Sequence, residues 1–464
     1  MVGKPLVRGA EFECAYLDDL TTAGTNGTSY TNPFDWARLH AAYTDNPRGV
    51  QGLQIDGYFL DDDSETTRMP GNYYGKLGEN GEKKHPFDSQ FVIRFPNGWN
   101  GKLVITGAPG VRGQYANDFI IGDWVLAHGY AFASTDKGNS GLRFYKADRS
   151  PGAAVFEWHR RVKQLTETTK ESVERYYGEE PARTYVTGNS NGGYLTRYAL
   201  ENHPDLYDGG VDWQGPHWTD PDAPTSDPDG GPNLLTFLPP ALRHYPEYRD
   251  TEAQAAYGAL IEAGFPEGSV FLWPYHYENY WGSTQRIYRE EFDPYYLGAE
   301  ADYDYEDSLH PHEKDLVIQG LKQAQVPKIK NGVKKASLTG DIGKRLITLH
   351  GTLDALLPIT KTSDKYAELV KEANKEHLHR YYKIEGGTHI DSLYDYTESG
   401  PNPEKPEPKF RENLRPILPC YRAAFERLVE WVEEEKQPPE IESVPRPEDL
   451  DPRELANRCP TLES

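Results

Sequence analysis

The chain has 464 residues, with 50 Lys and Arg against 73 Asp and Glu and a formal charge of -23. That length leaves room for a substantial insertion beyond one minimal enzyme domain, and the negative charge would repel a phosphate backbone or an anionic lipid surface. Nucleic-acid and membrane partners are not expected: even the run I-I-G-D-W-V-L-A-H-G-Y-A-F-A-S is interrupted by Asp123 and His128.

Residues 1–85 mix polar, turn-rich patches such as L-D-D-D-S-E-T-T with few clear periods, and read as an amino-terminal embellishment on a core. The opening M-V-G-K-P-L-V-R-G-A has no apolar segment of signal-peptide length, so the chain is either cytoplasmic or secreted with its signal already removed. One sequon stands at Asn26–Thr28. Residues 86–214 predict strands at Phe91–Phe95, Leu103–Thr106 and Tyr130–Ser134. A long helix from about Val155 to Tyr177 carries Val155, Trp158, Val162, Leu165 and Val173 as one buried stripe. The second strand runs into the glycine-rich turn G-A-P-G-V-R-G, which holds Gly110, Val111 and Arg112; Lys137 follows the third strand.

The run R-T-Y-V-T-G-N-S-N-G-G-Y-L-T-R-Y-A-L then gives a short apolar strand, a sharp turn at Gly188, Asn189, Ser190, Asn191 and Gly192, and a helix with Tyr194, Leu195, Tyr198 and Ala199 at helical spacing. G-x-S-x-G between strand and helix is a nucleophile elbow: the serine sits in a strained turn, and a glycine two residues to either side keeps side chains out of the neighbouring strand and helix.

Between residues 215 and 340 the alternation of strand and helix breaks, and the chain becomes rich in Pro, Asp and aromatic residues, which reads as an inserted lid. W-P-Y-H-Y-E-N-Y-W supplies Trp273, Tyr275, Tyr277, Tyr280 and Trp281, and F-D-P-Y-Y adds Phe292, Tyr295 and Tyr296. These rings are expected to pack the lid, with Trp273, Tyr275, Tyr280 and Trp281 as candidates for lining an acyl or aryl pocket. Two acidic clusters, Asp220, Asp222, Asp227 and Asp229, then Asp302, Asp304, Glu306 and Asp307, offer oxygen ligands that would suit a structural calcium but lack EF-hand spacing. Solvated loop charge is the plainer reading, and neither a metal nor another cofactor is expected.

Residues 341–435 return to strand and helix. The strand Arg345–Leu349 ends in H-G-T-L-D-A-L-L-P-I, placing Asp354 just past a strand's carboxyl end; L-H-R-Y-Y-K-I-E runs into G-G-T-H-I-D, placing His389 on a glycine-containing loop. Serine, acid and histidine thus follow one another in the chain order of α/β-hydrolases. Asp391, two residues from His389, is the rival acid. Residues 436–464 form a Pro/Glu-rich tail. Of three cysteines, Cys420 with Cys459 could pin that tail and leave Cys14 over, although spacing alone does not fix pairing.

In this arrangement His389 takes the proton of Ser190 as it attacks a carbonyl, and Asp354 fixes the imidazole tautomer and stabilises the imidazolium. The N–H of Asn191 and one from Gly110 or Val111 would hold the oxyanion. Lys137 and Arg112 are candidates for holding a substrate carboxylate. The expected architecture is an α/β fold with a mostly parallel central sheet, helices on both faces and a large inserted lid.

Taken together, T-G-N-S-N-G-G, L-I-T-L-H-G-T-L-D-A-L-L-P-I and the late G-G-T-H resemble the tannase and feruloyl esterase group of α/β-hydrolases, over roughly residues 86–400. The run G-Y-A-F-A-S-T-D-K-G with S-N-G-G is similar to 3-hydroxybutyrate oligomer hydrolases in that neighbourhood. The resemblance implies carboxylic ester hydrolysis, a large lid, and Ser190, Asp354 and His389 as the triad. Members of the group carry cysteines flanking the serine and histidine, where this chain has Asn189 and Ile390. That departure favours hydroxyacid oligomers as substrates, with feruloyl, galloyl or terephthaloyl esters as the alternative. A peptidase, or a binding protein without turnover, would be built on the same scaffold. Oligomeric state is left open.

Overall fold

The computed structural model describes residues 3, 6–25, 39–59, 89–138, 152–222, 234–292, 327–397, 400–401 and 404–463. The sequon, Tyr295, Tyr296, Asp227, Asp229 and the second acidic cluster lie outside the described residues.

A 10-stranded sheet organises the chain. Its main strands are β1 (Ala10–Leu17), β2 (Gly52–Phe59), β3 (Ser89–Pro96), β4 (Lys102–Gly107), β5 (Ala131–Thr135), β6 (Arg183–Asn189), β7 (Gly209–Trp213), β8 (Arg345–Gly351) and β9 (His379–Ile384), in the spatial order β1-β2-β3-β5-β4-β6-β7-β8-β9. Ser443–Val444 adds a short parallel strand beyond β9. From β5 to that edge every pairing is parallel, and β1, β2 and β3 join antiparallel.

The sheet is that of an α/β-hydrolase: mixed, mostly parallel and flanked by helices. Parallel strands need crossovers, and helices in those crossovers bury both faces. The long helix, Ala153–Tyr177, sends Val155, Trp158, Val162, Leu165 and Val173 into the core. The amino-terminal segment is more than an appendage, since β1 and β2 extend the sheet in an eight-residue antiparallel register. β1 is exposed or half-buried along its length and β2 is mostly buried, so neither strand has a clear two-residue period. Cys420 and Cys459 are disulfide-bonded, tying the tail to the helix Leu418–Glu434, and Cys14 is free and exposed. Among the described residues no helix is long and apolar enough to cross a membrane.

Candidate active site

Three loops leaving the carboxyl ends of β6, β8 and β9 meet at one place. Ser190 follows β6 directly, with φ 54° and ψ -120°. Its strained backbone is held by its own N–H donating to Trp213 O at 2.8 Å and by Tyr194 N donating to its carbonyl at 3.0 Å. The flanking glycines are steric necessities: a Cβ on Gly188 would lie 2.5 Å from the Gly192 carbonyl carbon, and one on Gly192 would lie 2.4 Å from Gly107 O.

The Ser190 hydroxyl lies 3.1 Å from His389 Nε2, and His389 Nδ1 lies 2.8 Å from Asp354 Oδ2. Asp354 is fully buried, yet all of its oxygens are served. Oδ1 accepts from Leu356 N and Leu357 N, both at 2.8 Å, while Oδ2 also faces His350 Nε2 at 3.3 Å. Burial alone would push this carboxyl up; the charge of His389 and the N–H groups of His350 and His389 overcome it and hold Asp354 well below the usual carboxylate range. The rival Asp391 points elsewhere. It accepts from Ile417 N and Leu418 N at 2.8 Å, at the start of the helix Leu418–Glu434, and burial pushes its carboxyl up to about 7 against those two donors.

Sequence reading missed two supports of this site. The first is a buried chain behind the acid. Arg197, salt-bridged to Asp212 at 2.6 Å, donates to Ser363 Oγ at 2.7 Å, and Ser363 Oγ lies 2.7 Å from His350 Nδ1. Guanidinium has only donors, so Ser363 accepts from Arg197 and gives its own proton to His350 Nδ1. The remaining proton of a neutral His350 is then on Nε2, aimed at Leu357 O, 2.9 Å away, and at Asp354. The only sequence trace is the four-residue spacing of His350 and Asp354. The second support is Gln214, at φ 55° just past β7. Its Oε1 accepts from Gly351 N at 3.1 Å and its Nε2 donates to the carbonyls of Thr388 and His389 at 3.3 and 3.4 Å, so one amide ties the acid's strand to the base's loop. The two come so close that a Cβ on Gly351 would lie 2.3 Å from the Gly387 carbonyl.

The glycine-rich loop after β4 lies beside the elbow. Gly110 O accepts from Asn191 Nδ2 at 3.1 Å and from Lys137 Nζ at 3.3 Å. Lys137 is buried, takes φ 69° and sets its ammonium 5.3 Å from the centre of the Trp158 ring. Its position is therefore against the loop backbone. Arg112 donates its backbone N–H to Pro109 O and is half-buried. The other face of Asn191 is occupied by the lid, where Tyr288 donates to Asn191 Oδ1 at 2.6 Å.

The aromatics expected to pack a lid divide. Trp273 is buried among residues of its own segment, donating to Ser269 Oγ and packing against Tyr248 and Tyr257. Tyr275 packs on Tyr280 and Tyr396. Trp281 reaches the site's edge and donates to Ala355 O at 2.7 Å. Of the first acidic cluster, Asp222 pairs with Lys330 at 2.5 Å and Asp220 with Lys334 at 3.3 Å. Among the described residues no group of three His, Cys, Asp or Glu is arranged to hold a metal ion.

Residues 77–213, which run from ahead of β3 through the elbow to the end of β7, match the family described as tannase and feruloyl esterase. Over that stretch, less than a third of its length, the chain is similar to that family of α/β-hydrolases. Among characterised proteins, the chain is 27% identical over 138 residues to the mono(2-hydroxyethyl) terephthalate hydrolase of Piscinibacter sakaiensis, a match covering 27% of this chain and 23% of that protein. The match thus spans about a quarter of the relative's length. In fold, the chain is similar to feruloyl esterase B from Aspergillus oryzae, at 14% identity and a TM-score of 0.50, covering 93% of this chain and 89% of that one. It is also similar to an esterase from Aspergillus oryzae, at 14% identity and a TM-score of 0.52, covering 93% and 88%. These matches do not support the lean toward hydroxybutyrate oligomer hydrolases, which rested on the run G-Y-A-F-A-S-T-D-K-G with S-N-G-G and on Asn189 and Ile390 standing where group members carry cysteines. A crosslink there is one way of fixing the elbow to the histidine loop; here Gln214 bonds the histidine loop, and Trp213 beside it holds the Ser190 N–H.

Proposed function

We propose that the chain hydrolyses carboxylic esters through an acyl-enzyme on Ser190. The observation that carries this reading is the unbroken hydrogen-bonded order Ser190, His389, Asp354 at 3.1 and 2.8 Å. His389 Nδ1 donates to the carboxylate, which leaves Nε2 free to accept the serine proton. Attack by Oγ on the ester carbonyl gives a tetrahedral oxyanion. Its donors are the N–H of Asn191, at the first position of the elbow helix, and the N–H of Val111. The Val111 N–H lies opposite Gly110 O across one trans peptide, and that oxygen is held by Asn191 and Lys137. Protonated His389 then gives its proton to the leaving alkoxide. In the second half, water gives up a proton to His389 as it attacks the acyl carbonyl, and Ser190 leaves with that proton.

For the acyl group the reading is an aryl or arylalkenyl acid of the terephthaloyl or feruloyl kind. Two things support it: the similarity to a terephthalate monoester hydrolase over part of the chain, and the aromatic side chains Trp281 and Tyr288, which reach the loop of Asp354 and the elbow. Hydrolysis of methyl ferulate and of a terephthalate monoester, set against hydroxybutyrate trimer, tests this. Faster turnover of the trimer would replace the aryl reading with the hydroxyacid one.

A further inference from the structure

We infer that Tyr288 is a positioning residue for the oxyanion hole: through the side chain of Asn191 it sets the Gly110–Val111 peptide, and with it the direction of the Val111 N–H. The inference rests on the ester-hydrolase reading, which is what puts a negative oxygen at that place.

This peptide is the central one of the turn Pro109–Arg112, which is closed by Arg112 N donating to Pro109 O at 3.1 Å. That bond joins the ends of the turn and leaves its middle unfixed. Turn types differ by rotation of the central peptide, and Gly110, at φ 49° with open space where a Cβ would stand, resists neither orientation. Rotated the wrong way, the peptide would point the Gly110 carbonyl at the developing anion in place of the Val111 N–H.

The orientation is set from outside the turn. Gly110 O accepts from Asn191 Nδ2 at 3.1 Å and from Lys137 Nζ at 3.3 Å. A carbonyl only accepts, so the Asn191 amide must turn its nitrogen to Gly110 and its oxygen to the Tyr288 hydroxyl, 2.6 Å away, which donates. Tyr288 thereby fixes which way the amide faces. Without that hydroxyl Asn191 Oδ1 loses its donor in a side chain that is 3% exposed. Asn191 thus serves the oxyanion twice, by its own backbone N–H and by its side chain's hold on the second donor.

Tyr288 is itself well anchored. Its ring packs on Trp218 with centres 5.3 Å apart. In the same helix, Gly282–Phe292, Glu291 Oε1 accepts from Ala154 N at 2.8 Å, tying that helix to the start of the long helix Ala153–Tyr177. Just ahead of it, Trp281 donates to Ala355 O, beside Asp354. Burial pushes the Tyr288 hydroxyl up, with the Asn191 bond opposing and the Glu291 charge adding to the rise, so it keeps its proton at neutral pH.

Tyr288→Phe removes the donor and keeps the ring. Removing an oxyanion donor outright costs about 10² to 10³ in rate. Here the Asn191 N–H and the Lys137 contact remain, so kcat on a p-nitrophenyl ester should fall about tenfold, with KM within about twofold. A trifluoromethyl ketone reads the hole directly: Ser190 Oγ adds to the ketone carbon, the hydroxyl proton passes to His389, and the ketone oxygen becomes the anion that the hole holds. Its affinity should fall by the same factor as kcat/KM, while an intact ester should bind the Ser190→Ala protein equally well with and without Tyr288→Phe. Because Tyr288 acts through Asn191, Asn191→Leu combined with Tyr288→Phe should cost no more than Asn191→Leu alone; a tyrosine that only supports the fold would add its own loss. Unchanged kcat and inhibitor affinity, a loss confined to KM or to ester binding, or losses that multiply in the double variant would overturn the role. Should Tyr288→Phe fail to fold, Asn191→Leu cuts the same link from its other end and is expected to lower kcat and inhibitor affinity together; full activity there overturns the role as well. Fluorophosphonate labelling and turnover of the wild type report separately on the hydrolase. A labelled, active wild type with no Tyr288 effect sinks the positioning role alone, whereas an unlabelled, inactive wild type sinks the hydrolase and the hole with it.

Discussion

His350→Phe separates support of the catalytic acid from participation in catalysis. Phenylalanine keeps the ring in its buried slot and removes both nitrogens, so Leu357 O loses its donor at 2.9 Å and the Ser363 hydroxyl loses its acceptor at 2.7 Å. Two buried polar groups left unpaired cost about 1 to 3 kcal/mol each, giving a destabilisation of about 2 to 6 kcal/mol, readable as a lower urea midpoint at unchanged slope. Asp354 still keeps His389, Leu356 N and Leu357 N. The lost contact is long, at 3.3 Å. Taking it as about 1 kcal/mol, kcat/KM on a p-nitrophenyl ester should fall less than about tenfold. Asp354→Asn, which disturbs the histidine tautomer itself, should cost on the order of 10³ to 10⁴. A His350→Phe enzyme as inactive as Asp354→Asn, or one as stable as the wild type, would refute the hydrogen-bond chain deduced from Arg197 and Ser363.

Gln214→Leu should lower kcat far more than it raises KM for a small ester, because it frees the histidine loop from the acid's strand; a change in KM alone would contradict that role. Stability should be greatest near about pH 4 and decline toward pH 8. Burial raises Asp56 and Asp136 to about 6 and Asp123 and Asp391 to about 7, so the folded state holds these protons more tightly than the unfolded chain. Their contribution is full below the ordinary carboxylate value and is lost as pH rises through 6 to 7. Asp354, shifted the other way, contributes above its ordinary value and is lost in strong acid. A thermal midpoint that is flat or rises between pH 5 and pH 8 would contradict the sign. Reduction of Cys420–Cys459, which closes a loop of 39 residues, should cost up to about 4 kcal/mol; an unchanged urea midpoint under reductant would show that the tail is held by packing alone.

The catalytic strands were legible because their periodicity and punctuation are local. β6 with its glycine-flanked serine, and β8 and β9 with polar residues just past their ends, each announce themselves within about a dozen residues. Asp391 shows where local reading stops: it sits beside His389 in sequence, and only the distant N–H groups of Ile417 and Leu418 show what it binds. The same holds for Gln214 and Arg197, whose side-chain partners lie 15 or more residues away, and for the bond of His350 to Ser363, 13 residues on. β1 and β2 carry weak periods for different reasons, β1 being an edge strand with little contrast between its faces and β2 being mostly buried between β1 and β3, and their pairing is decided by the sheet. Among the lid aromatics, one composition concealed two roles. Trp273 closes the lid's own core, whereas Trp281 and Tyr288 reach the elbow and acid loops.

The central claim is that Ser190 is the nucleophile of an ester hydrolase. Mass spectrometry after fluorophosphonate treatment, beside hydrolysis of a short-chain p-nitrophenyl ester by wild type and Ser190→Ala, tests it most directly. The account predicts one equivalent of label on the peptide carrying Ser190 and ester turnover abolished in the variant. An unlabelled, inactive wild type, or a Ser190→Ala protein that still hydrolyses the ester, would contradict it.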